Sequence, residues 1–234
     1  MHGQRERYVA LPTPGGIDGG ATAATSGRRG RMRAPMLRLA GLIYGGMIAL
    51  AFGIAALGGH LPLPLAMTGK LYPALGAAVA MTAATLVFSA FGASRWDWVR
   101  NMEEAFRRVL GPLELREVIA LALASGVSEE VLFRGAIQPA LVHAAGGALG
   151  LVIGSVIFAL AHFPPQRELW PWPIFALALG LFLGAVTLLS GNLLPAIGCH
   201  VAINAVNLRR ITRAIDPSTA ARIRGRAAQG GRGE

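Results

Sequence analysis

Long apolar runs alternate with short polar segments along most of this 234-residue chain. A helix needs about 20 mostly apolar residues to cross the roughly 30 Å hydrocarbon core of a bilayer. The stretches that approach this length are residues 37–57, residues 71–93, residues 115–145, the stretch from the Gly146-Gly147 turn to His162, residues 174–189 and residues 193–208. The pattern predicts an all-α protein, a polytopic transmembrane helical bundle of about six spans.

A charged segment between the second and third runs has a different pattern. In residues 94–114, Trp96, Val99, Phe106 and Leu110 are interleaved with charged residues. Tryptophan is enriched at the membrane–water interface, and apolar positions mixed with charge suit a helix that lies in the plane of the interface. We therefore predict an amphipathic interfacial helix on the cytosolic side.

Composition supports this class of protein. Hydrophobic residues make up 53% of the chain and charged residues only 15%, whereas soluble domains carry about 25% charged residues. The net charge of +10 raises the alternative of a nucleic-acid-binding protein. The basic residues, however, flank apolar runs and are not interleaved with the aromatic residues on which single-stranded nucleic acids stack. We expect the lipid bilayer, and no nucleic acid, as a partner.

The distribution of cations predicts the orientation. Of the 22 Lys and Arg residues, all but Lys70 and Arg134 fall in the N-terminal arm, in residues 94–116, in residues 163–173 or in the C-terminal tail. With six spans these regions share one side of the membrane, and the positive-inside rule assigns that side to the cytosol. Both termini are thus predicted to be cytosolic. We expect a multi-pass protein of a bacterial inner (plasma) membrane.

The same pattern divides the chain into five segments. They are a disordered basic cytosolic arm (1–36), two N-terminal transmembrane helices (37–93), the amphipathic interfacial segment (94–114), a core of four helices (115–208) and a basic cytosolic tail (209–234).

Three ionisable residues lie inside the third apolar run, where charge is expensive. Glu130 and Arg134 are four residues apart, so they can pair on one face of a helix. Glu129 is rotated by about 100° from its neighbour and cannot share the arginine equally. It therefore needs a partner on another helix.

The hairpin between the third and fourth runs supplies that partner. Glu129 and His162 are at similar distances in sequence from the Gly146-Gly147 turn, so at about 1.5 Å per residue they reach nearly the same depth. On the last run, His200 and Asn204 share one helix face. Polar groups from three helices thus converge on one level of the predicted bundle.

These residues form three ordered patterns, in residues 129–134 (EEVLFR), 158–162 (FALAH) and 200–204 (HVAIN). The set resembles the EExxxR, FxxxH and HxxxN motifs of the CPBP family, which contains the CAAX prenyl endopeptidases and bacterial Abi-type membrane proteins. The resemblance covers about residues 115–208, which would then be a CPBP-like catalytic core. The arm, the first two spans and the tail lie outside it.

The resemblance implies intramembrane proteolysis of a membrane-tethered or transmembrane protein or peptide. Glu129 would be the general base that activates water, and His162 would orient that water. His200 and Asn204 would stabilise the oxyanion. Glu130, Arg134 and Phe158 would support the arrangement.

The resemblance leaves the need for a metal open. We favour no cofactor, but zinc is an alternative, with His162, His200 and either Glu129 or Glu130 as ligands. Two other functions also remain: a non-proteolytic scaffold or immunity protein of the same fold, and a proton-coupled transporter, since Glu and His relays also mark proton pathways.

Overall fold

The structure, a computed structural model, describes residues 19–59 and 61–213, and residues 19–37 as backbone only. The chain divides into two compact units, Met1–Gly41 and Leu42–Glu234, and every contact reported below lies within the second. The helices are α1 (Gly19–Leu57), α2 (Leu71–Arg95), α3 (Asp97–Leu110), α4 (Leu115–Leu132), α5 (Gln138–Ala145), α6 (Gly147–Ala161), α7 (Trp172–Ser190) and α8 (Leu194–Thr212). The all-α architecture is confirmed.

The helix bounds follow the apolar runs, with differences at the two ends. Helix α1 begins at Gly19, so the arm predicted to be disordered over 1–36 is helical from that residue onward. Helix α8 ends at Thr212, so the predicted tail over 209–234 begins within a helix. Residues 1–18 and 214–234 lie outside the described residues.

Three helical stretches within the described ranges are long and apolar enough to cross a membrane: Arg38–Leu57, Leu71–Arg95 and Arg167–Ser190. Helix α6 is apolar but has only 15 residues, a length of about 22 Å. Helix α4 contains the glutamate pair, and α8 has Arg209 and Arg210 in its last turn. The six-span count and the cytosolic placement of both termini therefore stay predictions.

Glycines allow the core helices to approach closely. A Cβ atom at Gly126 of α4 would lie 2.6 Å from Val201 of α8. One at Gly150 of α6 would lie 2.6 Å from the backbone nitrogen of Val142 on α5. Such contacts are typical of membrane helices, whose association gains little from the hydrophobic effect. They hold α8 and α6 against the long helical segment that contains the charged motif.

That segment is interrupted directly after the motif by a π-helical turn, Phe133–Ile137, between α4 and α5. Single π-turns inside α-helices are rare and frequent at functional sites. Gly135 lies in the turn, and a Cβ atom there would be 2.1 Å from the carbonyl oxygen of Pro62. The loop between α1 and α2 therefore contacts the backbone of the turn directly.

This loop, residues 61–68, is bonded to the turn between α7 and α8. The backbone nitrogen of Ala66 donates to the carbonyl of Gly191 (3.0 Å), and Leu193 donates to the carbonyl of Pro64 (2.8 Å). The side-chain amide of Asn192, fully buried, donates to the carbonyl of Ala66 (3.2 Å). The loop is thus joined to the α7–α8 turn by backbone hydrogen bonds.

At the opposite end of α8, the segment predicted to be interfacial forms helix α3, and its place at the interface stays a prediction. Arg210 Nη2 lies 2.6 Å from Glu103 Oε1, and Arg107 Nε donates to the carbonyl of Ile211 (2.9 Å). The ring of Phe106 packs edge-on against Trp172, with centroids 4.9 Å apart. Helix α3 is therefore attached both to the end of α8 and to the start of α7.

We predict that Gly135→Ala lowers the free energy of unfolding by about 1–3 kcal/mol, because the added Cβ would overpack against the Pro62 carbonyl. The matched control is Gly198→Ala on α8, where no heavy atom lies within 4 Å of the new Cβ. Thermal unfolding of both variants in detergent measures the difference. Equal midpoints for the two variants would contradict the close contact between loop and turn.

Candidate functional site

Glu130 is the centre of a buried ion cluster. Its Oε1 atom accepts hydrogen bonds from Arg134 Nη1 (3.2 Å) and from His200 Nδ1 (2.7 Å). The Glu130 side chain is fully buried, and that of Arg134 is 2% exposed. The pairing of Glu130 with Arg134 agrees with their spacing in the sequence. The contact with His200 joins α4 to α8 at the level of the motif.

Arg134 is held from two further directions. Its Nη2 atom donates to the carbonyl of Gly180 on α7 (3.3 Å). Its guanidinium lies over the ring of Phe158 at 4.1 Å from the centroid, within the range of a cation–π interaction. Phe158 in turn packs edge-on against Phe133. The arginine thus contacts α4, α6 and α7, and its charge is compensated within the protein.

Glu129 faces a different set of partners. Its Oε2 atom lies 3.3 Å from His162 Nε2 and 3.7 Å from His200 Nε2. The atom is buried and makes no hydrogen bond within the described part of the chain. The Glu129 and His162 side chains are 12% and 14% exposed, more than Glu130 and His200 at 0% and 5%. The accessible side of the cluster is therefore the one that Glu129 and His162 form.

The hydrogen bonds at Nδ1 assign the tautomers of both histidines. His162 Nδ1 lies 2.7 Å from the carbonyl oxygen of Phe158, and a carbonyl only accepts, so this nitrogen carries a proton. The same argument gives His200 a proton on Nδ1, because its partner there is the Glu130 carboxylate. In the neutral form both Nε2 atoms then present lone pairs, and both are directed at Glu129 Oε2. Three acceptors around one point suit a water molecule, which has two O–H groups to donate.

Asn204 lies beside this cluster, one helical turn from His200. Its Nδ2 atom donates to Ser125 Oγ (2.9 Å). Ser125 is one turn before Glu129 on α4, and the Tyr44 hydroxyl on α1 lies near both residues. A chain of polar groups therefore runs from α1 through α4 to α8 alongside the carboxylate.

The structure brings six predicted residues into one cluster (Glu129, Glu130, Arg134, Phe158, His162 and His200) and places Asn204 next to it. Sequence reasoning missed Tyr44 and Trp172, whose ring packs edge-on against His162 with centroids 5.0 Å apart. Tyr44 carries a sequence signal, because it is the only residue of 39–57 with a polar side-chain group.

The choice between no cofactor and zinc stays a prediction, with Glu129, His162 and His200 as the candidate ligands that lie together. Within the described residues, no group of three or more His, Cys, Asp or Glu side chains is arranged to hold a metal ion. Glu130, one of the two carboxylates proposed as a zinc ligand, already binds Arg134 and His200. We therefore derive no catalytic step through a metal, and metal dependence becomes an outcome of the experiment below.

Comparisons with known proteins agree with the motifs. Residues 111–206 match a family model described as type II CAAX prenyl endopeptidase Rce1-like. A curated relative, the uncharacterized protein YpbD of Bacillus subtilis (strain 168), is 32% identical over 102 residues, 43% of this chain and 48% of that protein. The chain thus spans about half the length of the curated relative that it matches. No solved structure matches.

The matched residues contain every member of the cluster from Glu129 to Asn204, whereas Tyr44 precedes them. With its apolar helices the chain is a membrane protein. Through residues 111–206, it is similar to the Rce1-like type II CAAX prenyl endopeptidases.

Proposed function

We propose that the protein is an intramembrane endopeptidase in which Glu129 activates a water molecule. One observation carries the proposal: Glu129 Oε2 faces His162 Nε2 and His200 Nε2 at 3.3 Å and 3.7 Å, while both Nδ1 atoms are committed to other partners. A water held there would donate one proton to the carboxylate and the other to the His162 nitrogen. Its oxygen lone pairs would be free to attack a peptide carbonyl.

In the proposed reaction the water oxygen forms a bond to the carbonyl carbon of the substrate. Glu129 takes the proton that the water loses, as a general base does. Breakdown of the tetrahedral intermediate cleaves the C–N bond, and the protonated Glu129 returns its proton to the leaving amine. The carboxylate is regenerated, and the products are a new carboxyl terminus and a new amino terminus.

The oxyanion would be stabilised by donors on α8. His200 can donate from Nε2 only when both ring nitrogens are protonated, and the Glu130 carboxylate at Nδ1 would balance the charge of that form. Asn204 gives one amide N–H to Ser125 and has a second N–H to offer. Donors that are already in position contribute most when charge develops on the oxyanion.

The similarity of residues 111–206 to this family and the apolar helices support one class of substrate. A membrane-tethered or transmembrane protein, or a peptide within the bilayer, is the proposed substrate, and a bacterial inner membrane is the proposed location. The Bacillus subtilis relative supports a bacterial host. Whether the substrate carries a lipid does not follow from the cluster, and we propose none.

A transporter accounts less well for the architecture. A transported proton or solute needs a path to both faces of the membrane, whereas the polar groups of three helices converge here on one cluster around Glu129. A scaffold or immunity protein would need no directed lone pairs around Glu129. Hydrolysis explains both features.

The first test is cleavage of a library of membrane proteins and peptides by purified protein in lipid. We predict that Glu129→Gln lowers the cleavage rate by about 10²–10⁴-fold, because the amide cannot accept the proton of the water. Glu168→Gln, a change to an exposed glutamate 4.0 Å from Arg108, is the matched control. It should cleave at the rate of the unmodified protein.

Chelator separates the remaining alternatives. A rate that chelator leaves unchanged supports the metal-free mechanism. Loss of cleavage in chelator, with recovery on adding zinc, would replace it by the zinc alternative. A folded protein that cleaves nothing in the library would reject the peptidase and favour the scaffold or immunity protein.

The ion cluster gives a separate prediction about stability. Glu130→Leu should lower the free energy of unfolding by about 3–5 kcal/mol, because it leaves the buried Arg134 without its counter-charge. The double variant with Arg134→Leu should recover part of that loss, since it removes both charges. Thermal unfolding of the single and double variants measures this, and a double variant less stable than the single would contradict it. Glu168→Gln should change stability by no more than about 0.5 kcal/mol.

A further inference from the structure

Two side chains of the motif segment donate to the backbone of α7. Arg134 Nη2 donates to the carbonyl of Gly180 (3.3 Å), and Gln138 Nε2 donates to the carbonyl of Gly184 (3.0 Å). Donors and acceptors are both spaced by four residues, one helical turn on each side. Two such bonds fix both the distance and the register of α7 against the segment that carries Arg134.

The acceptors are glycines, and the space around them explains why. A Cβ atom at Gly184 would lie 2.5 Å from Gln138 Oε1 and 2.5 Å from Leu151 Cδ1. One at Gly180 would lie 3.3 Å from the ring of Phe158 and 3.4 Å from Arg134 Nη2. A carbonyl inside a helix keeps a second lone pair after its helical bond is made. At these positions a side chain would obstruct the groups that reach that lone pair.

The two bonds connect to the catalytic cluster through Arg134. The same guanidinium that donates to Gly180 donates through Nη1 to Glu130 Oε1, and that oxygen also accepts the His200 Nδ1 proton. A shift of α7 would move the guanidinium, and with it the carboxylate that sets the tautomer of His200. Gln138 is 2% exposed and lies in the turn of helix after the π-turn, where it makes the second bond to α7.

We propose that Gln138, acting with Gly180 and Gly184, is a positioning residue for the site. It fixes the register of α7, and α7 holds Arg134 so that Glu130 keeps His200 protonated on Nδ1. The inference rests on the proposed function for its kinetic readout only. The tautomer of His200 tests the positioning role directly, whether or not a substrate is known.

The test uses Gln138→Leu, which removes the donor at similar volume, and Gly184→Ala, which obstructs the acceptor. The matched control is Gly154→Ala on α6, where the new Cβ would sit at ordinary contact distance, 3.7 Å, from Gln138 Cβ. Each protein is labelled with ¹⁵N-histidine, and the His200 signals are assigned by their loss in His200→Asn. We expect the His200 ring nitrogens to shift or split in both test variants, and to match the unmodified protein in the control.

A double variant separates the hydrogen bond from the clash at Gln138 Oε1. The clash of the new Cβ with Leu151 is present in every Gly184→Ala protein and absent from Gln138→Leu. Gln138→Ala combined with Gly184→Ala removes the clash at Gln138 Oε1 but does not restore the bond to α7. The His200 signal should remain altered in it even if the thermal midpoint recovers. A double variant with the His200 signal of the unmodified protein would overturn the proposal, because relief of the clash alone would then explain the effect.

The kinetic measurement determines kcat and KM separately, on any substrate that the library identifies. Misplacement of a catalytic group by about 1 Å costs about 10²-fold in rate, so kcat of Gln138→Leu should fall by about 10–100-fold with KM nearly unchanged. If His200 signals shift while the unmodified protein cleaves nothing, the peptidase proposal fails and the positioning proposal stands. If the His200 signals of both test variants match those of the unmodified protein, the positioning proposal fails whatever the rates are.

Discussion

The rest of the structure depends on the compensation of charge at Glu130. A carboxylate and a guanidinium removed from water lose solvation worth several kcal/mol each, and only close partners with good geometry offset that loss. Glu130 meets this constraint with two donors on one oxygen, Arg134 from its own helix and His200 from α8. Arg134 also donates a hydrogen bond to the Gly180 carbonyl, and its guanidinium makes a cation–π contact with the Phe158 ring. Four helical elements are thereby held around one buried ion pair.

The two adjacent glutamates have different environments because they point in different directions. Neighbours on a helix are rotated by about 100°, so Glu130 faces the arginine of its own helix while Glu129 faces the end of α6. Glu130 Oε1 accepts from Arg134 and His200, which fixes the side chain, while its Oε2 has no hydrogen-bond partner within the described residues. Glu129 Oε2 has two histidine nitrogens nearby and no hydrogen bond from them. One carboxylate therefore serves the fold, and the other remains available for chemistry.

The sequence predicts much of this arrangement, because it depends on helical periodicity and hairpin depth. The four-residue spacing predicts the pair of Glu130 with Arg134, and equal distances from the Gly146-Gly147 turn predict the meeting of Glu129 with His162. Depth along a helix does not determine rotation about its axis. The sequence therefore could not show that His200 turns Nδ1 to Glu130, or that Asn204 donates to Ser125. Helix α3 was predictable for the same reason as the pair, since its apolar positions have a helical period.

The π-turn and the loop 61–68 depend on contacts between distant parts of the chain. Nothing in residues 133–137 alone requires a wider helical turn; the close approach of the Pro62 carbonyl to Gly135 is a tertiary contact with a loop that lies far away in the sequence. The same holds for Tyr44, which reaches Ser125 from α1. The loop 61–68 and Tyr44 both precede residue 111, so they lie outside the part that matches the family. The motifs supply the buried ion cluster, whereas the part of the chain before it supplies the loop bonded to the α7–α8 turn and a hydroxyl near Glu129. The family-matched segment alone therefore lacks contacts that the site has in the whole chain.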